Sequence, residues 1–372
     1  MKFCFKGNIT GALLGKTEGG GELQVALLAK ALAKNGHEVV IIDPVDCDKD
    51  FVTEDGIKVL TVPNWKNGMP VIRFMFKLLP GLYRLLLQQK ADVYYCRMRD
   101  FQHLLPYMVT RKVKAKFVLA MAADIDATGF KERYKYFYKT QKFSLWLFFS
   151  GLLIEIVQPF LLRKSDIVLS QHEGQKQILD DRKIKSYVFG NLIDLAMIPV
   201  VDHPVKADFI YVSSFLQIRK GFIELFRLIE QSPMHSFTII GKPSGKISID
   251  LFEKLQNFKN VKLLGKLDHL ESIIHIANSK ALVTTSPMEG FPNIFLEAWA
   301  TGVPVISYIV DPGGIIVKNH LGLVCNGQFE LLCSNINNFD KCIFDGNKLK
   351  DYVKKNHSVE FAHSKLLNIL NT

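Results

Sequence analysis

Two glutamates, Glu289 and Glu297, flank a Gly-Phe-Pro-Asn turn in the stretch SPMEGFPNIFLEAWATGVPVIS, Ser286 to Ser307. Taking a carboxylate into a protein interior is costly unless it is paired, so two acids where a turn enters an apolar helix point to ligand hydroxyls or charges. Pro292 suits the first turn of that helix, and the amides of Gly290, Phe291 and Asn293 would then present the positive end of its dipole to a negative group. Glu297 can accept two hydrogen bonds from a vicinal diol such as ribose, and Glu289 would hold hydroxyls of a second sugar. The bland alternative makes Glu289 a solvated loop residue and Glu297 an ordinary helix carboxylate. It leaves Glu297 unexplained between Leu296 and the apolar run Ala298 to Ala300.

A second cluster is SSFLQIRKGFIELF, Ser213 to Phe226, where Arg219 and Lys220 stand between a strand and a helix beginning around Gly221. Two cations at the carboxyl end of a strand suit a diphosphate, since arginine forks onto oxygens and lysine supplies a point charge; a solvated surface pair is the other reading. A third is KTEGGGELQVALLAKALAKNGHEVVIID, Lys16 to Asp43. Its glycines, Gly20 and Gly21 among them, let the backbone come close to a ligand, and a helix from about Glu22 offers free N–H groups to an anion. The spacing is not the GxGxxG of dinucleotide sites, and the segment reads equally as a plain turn.

These residues must be positioned by their surroundings. KFCF, EVVIID, DVYYC, KFVLAM and DIVLS are apolar runs that alternate with helical patterns, which means parallel strands covered on both faces, an α/β class. The pattern restarts after NLIDLAMIPVVDHPVKAD with FIYVSS, FTIIG, VKLLG, ALVTTS and VPVISY. We therefore expect two doubly wound domains, residues 1–195 and 196–355, with a closing helix in 356–372 that packs back toward the first. Ligands of such sheets lie beyond the carboxyl ends of the strands.

At 372 residues and 48% hydrophobic composition the chain can bury two cores. Its net charge of +11 favours phosphates, whether of nucleotides, nucleic acid or an anionic membrane surface. No compact recognition module is visible, so nucleic acid is not expected. The six cysteines form no CxxC pair and have no histidines at ligand spacing, which argues against a zinc site or disulfide framework and for a reduced cytoplasmic setting. The opening MKFCFKGNIT reads as a strand rather than a signal peptide. FSLWLFFSGLLIEIVQPFLLRK, Phe143 to Lys164, is broken by Glu155, Gln158 and Pro159 and is not expected to span a bilayer. It reads as a core helix or as an interfacial helix beside the basic, aromatic FKERYKYFYKTQK.

Phe209 to Ser307, densest at EGFPNIFLEAWATGVPVIS, resembles the donor domain of retaining glycosyltransferases of family four. In that family's signature a glutamate, seven residues and a second glutamate precede a small-residue helix and Gly-x-Pro-Val-Ile, which Glu289, Glu297 and Gly302 to Ile306 match. GGGELQVALLAKALAKNGHEVVI, DIVLSQHEGQKQIL and GNLID are similar to parts of its acceptor domain. The resemblance implies the GT-B fold, two Rossmann-like domains facing across a cleft. It implies a nucleotide-diphosphate sugar, a UDP-sugar, as donor, a glycan or lipid-linked glycan as acceptor, and no metal or other cofactor. Glu297 would bind ribose, Glu289 the donor sugar and Lys220 the diphosphate, while Gly20 and Gly21 would let the first-domain loop close over it. The family's Gly-Arg pair before Lys-Gly is replaced by Ser214 and Phe215, which passes the arginine role to Arg219. The family's histidine after the strand KFVLAM is replaced by Ala122, Ala123 and Asp124, which leaves Asp124 as acceptor-side candidate. A silent sugar-nucleotide or glycan-binding protein and a sugar-nucleotide epimerase are the alternative functions of such a fold.

Overall fold

The apolar runs form two sheets, one in each of two units. The computed structural model describes residues 1–16, 19–129, 145–200 and 207–372. One unit comprises Met1–Asn191 with Ala362–Thr372, and the other Leu192–Phe361.

The first sheet contains β1 (Lys2–Lys6), β2 (Glu38–Ile42), β3 (Phe51–Val52), β4 (Lys58–Leu60), β5 (Val93–Arg97), β6 (Lys116–Ala120), β7 (Ile167–Ser170) and β8 (Tyr187–Val188). Their order is β3-β4-β2-β1-β5-β6-β7-β8, parallel throughout except for β3 against β4. The second holds β9 (Ala207–Leu216), β10 (Phe237–Pro243), β11 (Val261–Gly265), β12 (Ser279–Thr284), β13 (Val305–Ser307) and β14 (Gly322–Val324), ordered β11-β10-β9-β12-β13-β14 and wholly parallel. Counted within its own unit this is the doubly wound order 3-2-1-4-5-6, whose direction of winding reverses between β9 and β12. In the first sheet the same reversal lies between β1 and β5. Helices on both faces explain why the strands are apolar without alternation: Val39 to Ile42 and Val93 to Cys96 are all buried.

The helix Asn293–Ala300 follows β12, and five of its eight residues, Phe295, Leu296 and Ala298 to Ala300, are buried. The Trp299 indole donates to the Leu321 carbonyl at 2.9 Å, which satisfies its one polar atom inside the core. The last helix, Val359–Leu370, buries Ala362, Leu366, Ile369 and Leu370. Residues from Ala362 onward belong to the first unit, where the Leu370 carbonyl accepts from Lys116 and Thr372 Oγ1 lies 3.0 Å from the Tyr187 hydroxyl.

Several elements differ in detail from the sequence reading. The helix after the glycines runs Gly20–Lys34, two residues earlier than Glu22, and the one after β9 starts at Phe222 because Gly221 is left-handed. An unanticipated helical run covers 70–89, with a π-turn at Phe74–Leu78 and Pro80 in the first turn of Leu79–Gln89. The segment FKERYKYFYKTQK lies outside the described residues. Leu145–Lys164 is a single helix containing Pro159, and among the described residues no helix is long and apolar enough to cross a membrane.

Candidate active site

The second unit's site begins where β9 ends. After Leu216 the chain makes a 3₁₀ turn, Ile218–Lys220, and then Gly221 adopts φ +77°, ψ 27° to launch the helix Phe222–Gln231. This position demands glycine twice over, since an L side chain resists that conformation and its Cβ would overlap the Thr285 carbonyl. Thr285, just beyond β12, donates through Oγ1 to the Gly221 carbonyl at 2.7 Å. The Tyr211 hydroxyl, on β9, donates to the Lys220 carbonyl at 3.0 Å, and burial drives its phenol pKa upward. The turn after β9 is thereby fastened to the loop after β12, across the point where the sheet reverses.

That fastening sets the chemistry. The Lys220 ammonium forms an ion pair with Glu289 Oε1, and Ser286 Oγ donates to the same oxygen at 2.8 Å. Both charged side chains remain part-exposed. A cation and an acid opposite each other at a switch point are placed to meet a ligand's phosphate and hydroxyls. Pro292 is the N-cap of the next helix, so that helix's first amide is that of Asn293, four residues after Glu289 in the chain.

The remaining predicted residues are placed as follows. Arg219 lies in the 3₁₀ turn, with its side chain outside what is described. Phe291 turns its ring inward, 5.0 Å from His357 and 6.5 Å from Trp299 between ring centroids, so its buried side chain anchors the turn. Gly290 is buried and Asn293 opens the helix. Glu297 has a different partner from Glu289: its Oε1 lies 2.9 Å from His269 Nε2, and its side chain is 12% exposed. His269 starts the helix His269–Ala277 after β11, which is capped by a reciprocal Asp268–Glu271 box. The Glu297 carboxylate, foremost through this hydrogen bond, raises the imidazole pKa above its ordinary value. Sequence reasoning missed His269 because the two residues meet only through the fold.

Gly20 and Gly21 belong to the first unit, at the start of the helix Gly20–Lys34. A Cβ on Gly21 would come within 3.0 Å of Met98 Sδ, just past β5, so this glycine allows close approach at the first sheet's own reversal point. Glu22 folds its carboxylate over the helix start, into the space a Gly19 side chain would fill. Asp43, at the end of β2 where dinucleotide folds keep a ribose-binding acid, is buried. It accepts from the amides of Ile9, Thr10, Val45 and Asp46 and from the Thr10 hydroxyl at 2.7–3.1 Å, so it ties the loop after β1 to the turn after β2.

Asp124 is held by two groups that sequence reasoning did not pick. His172 Nδ1 accepts from the Gln175 amide, which leaves the proton on Nε2 to be donated to Asp124 Oδ1 at 2.8 Å; the Gln175 side chain donates there too, at 2.9 Å. On the donor side, Ser214 and Phe215 are exposed at the end of β9. Among the described residues no group of three or more His, Cys, Asp or Glu side chains is arranged to hold a metal ion.

Comparison with known proteins agrees with this architecture. Residues 198–338 match the family "Glycosyl transferases group 1" and residues 19–186 match "Glycosyl transferase 4-like domain". The chain is 25% identical over 330 residues to a glycogen synthase of Mycobacterium tuberculosis, a match that covers 80% of this chain and 76% of that protein. Sucrose-phosphate synthase of Thermosynechococcus elongatus superposes over 100% of this chain and 99% of its own, with TM-score 0.75 at 14% identity. UDP-GlcNAc 2-epimerase of Neisseria meningitidis, solved bound to UDP-GlcNAc, does so over 100% and 99%, with TM-score 0.60 and 14% identity. With a group 1 match over its second unit, a 4-like match over its first and two Rossmann-like sheets of the GT-B kind, this chain belongs to the family-four-like glycosyltransferases.

Proposed function

We propose that this glycosyltransferase moves a sugar, with retention at the anomeric carbon, from a UDP-sugar to a hydroxyl of a glycan or lipid-linked glycan. On this reading it acts at the cytoplasmic face of the membrane, in building a cell-surface polysaccharide or glycolipid. The observation that carries the reading is the Lys220–Glu289 pair set across the reversal point of a 3-2-1-4-5-6 sheet, beside the start of the helix that bears Glu297.

Without ligand, Lys220 and Glu289 satisfy each other; an arriving diphosphate competes for the ammonium with more charge and frees Glu289 for sugar hydroxyls. The reaction breaks the bond from the anomeric carbon to the β-phosphate oxygen and forms one to the acceptor oxygen on the same face. The acceptor proton passes to the departing phosphate. Lys220, Arg219 and the amides of Gly290, Phe291 and Asn293 take up the charge that develops on the diphosphate, so the step is proposed without a metal ion or other cofactor. Glu297 holds the ribose through the oxygen that His269 leaves available.

The test is a thermal-shift and turnover series with UDP-, GDP- and ADP-sugars. UDP and one UDP-sugar should raise the melting temperature, and that sugar should reach an acceptor with its anomeric configuration kept. Unchanged melting and no product with every donor would overturn the reading. The likeness to the epimerase gives the series a second arm: an altered UDP-sugar formed without any acceptor would assign isomerisation instead.

A further inference from the structure

The first unit carries an apolar surface where a soluble face would be polar. On the helix Leu145–Lys164, Gln158, Leu161 and Leu162 are buried, while Leu152, Leu153, Ile156 and Phe160 are exposed, Ile156 to 63%. Their spacing of one, three and four residues is that of a single helical stripe, so the apolar stripe of this helix faces solvent rather than the core. The run 70–78 behaves alike: Val71, Ile72, Met75 and Phe76 are exposed, Phe76 to 76%.

The two stripes share a neighbour. The Phe101–His103 turn packs against the Leu145–Lys164 helix, and the Phe101 ring lies 6.0 Å from that of Phe74 between centroids. The ion pair of Arg99 with Glu155, both largely buried, ties that loop to the inner face of the same helix. Apolar residues exposed singly are ordinary, but two stripes on adjoining elements amount to a patch that marks an interaction site.

Charge decides the partner. Arg163 and Lys164 end the exposed helix; Lys112 and Lys114 end the neighbouring Leu104–Val113 helix, which meets it through a Tyr107–Phe160 ring contact at 5.4 Å; and Lys77 closes the other stripe. Among the described residues, Glu155 within the exposed helix and Asp166 just past its end are already paired with Arg99 and Arg111. An apolar stripe with a basic rim fits the interface of an anionic bilayer, where the side chains enter the acyl boundary and the cations meet headgroup phosphates. We infer that the first unit docks on anionic membrane through the exposed faces of 70–78 and Leu145–Lys164, presenting the enzyme to an acceptor anchored in lipid. The inference deepens the membrane part of the proposed function and rests on it only for the acceptor.

The test is flotation of the full chain with vesicles of phosphatidylcholine alone or with phosphatidylglycerol added. The protein should float with the anionic vesicles only, and should release as salt is raised from ~0.1 M to ~0.5 M. Ile156→Glu and Phe76→Glu, both at exposed positions, should each weaken binding by about tenfold without lowering the melting temperature. Arg163→Glu with Lys164→Glu should weaken it while leaving the apolar stripe intact. UDP-dependent melting, read on the same variants, should stay as in the wild type, so failure of vesicle binding and failure of donor binding are separable. Equal flotation with both vesicle types, or none, overturns the inference. So does a dimer in sedimentation that Ile156→Glu splits while vesicles are ignored, since the patch would then be covered by a second copy.

Discussion

Under the proposed function, Lys220 is the residue on which the chemistry turns most directly. Its ammonium is held by Glu289 and its carbonyl by Tyr211, so side chain and backbone are both fixed before ligand arrives. Lys220→Ala removes a part-exposed ion pair, which costs about 1 kcal/mol of stability or less. The same change should lower transfer by about 10²–10³-fold, the usual effect of losing one preorganised group that stabilises a leaving charge. Steady-state turnover beside a thermal melt checks this; a variant that melts normally and turns over normally would remove Lys220 from the mechanism. His269 gives the second residue-scale prediction. Its folded pKa is raised by Glu297, so the pair's contribution is fully present below the ordinary imidazole value of 6.5 and is lost as pH rises through the higher folded value. Because His269 is 48% exposed, the contribution is well under about 1 kcal/mol. Wild type should therefore melt slightly above His269→Gln in mildly acidic buffer and level with it in alkaline buffer. A gap that widens with pH would reverse the sign and refute the pairing.

At the scale of elements, the site depends on one turn that only glycine can make. Gly221→Ala must strain φ at +77° and push Thr285 away, so it should cost about 1–3 kcal/mol and lower turnover as well, because the displaced loop carries Glu289. Gly15→Ala is the control: its φ is +70° but nothing lies within 4 Å of the added Cβ, so only the backbone strain remains and activity should hold. Equal losses from both substitutions would show that the clash with Thr285 does not matter. Elements of this kind were unequally legible in the sequence. Strands such as EVVII and VYYC declare themselves by apolar runs, and Lys-Gly after β9 and Glu-Gly after β12 mark strand-to-helix turns, which is why Lys220 and Glu289 could be named before they were seen to meet. The run 70–89 was not anticipated: it contains Pro70, Pro80 and Gly81, residue types that commonly interrupt helices, although Pro80 sits in the first turn of Leu79–Gln89. His269 and His172 were hidden for another reason. Each reaches its carboxylate from a separate strand-to-helix connection, and no spacing rule within one segment encodes a contact across a sheet.

At the scale of the whole molecule, the chain visits its first unit twice. Residues 1–191 build the sheet, the chain then makes the second unit, and residues 362–372 return to complete the first. The returning segment is a working part of that core: Leu366, Ile369 and Leu370 are buried, His363 meets His37 at 2.9 Å between their Nε2 atoms, and Lys116 is bonded to the Leu370 carbonyl. Stopping the chain after Phe361 deletes all of this at once and leaves an apolar groove against the first sheet. Each buried leucine or isoleucine lost costs about 2–5 kcal/mol, a large share of what a unit of this size has to spare. The second unit, Leu192–Phe361, keeps its sheet, its Trp299 core and the Lys220–Glu289 pair. Calorimetry of the truncated chain should therefore show two transitions where the first unit's has moved well below the second's. UDP should raise the later one alone, because a ligand stabilises only the unit that binds it. If UDP instead moved the earlier transition, the nucleotide would belong to the first unit, and the assignment of Lys220, Glu289 and Glu297 to the donor would have to be given up.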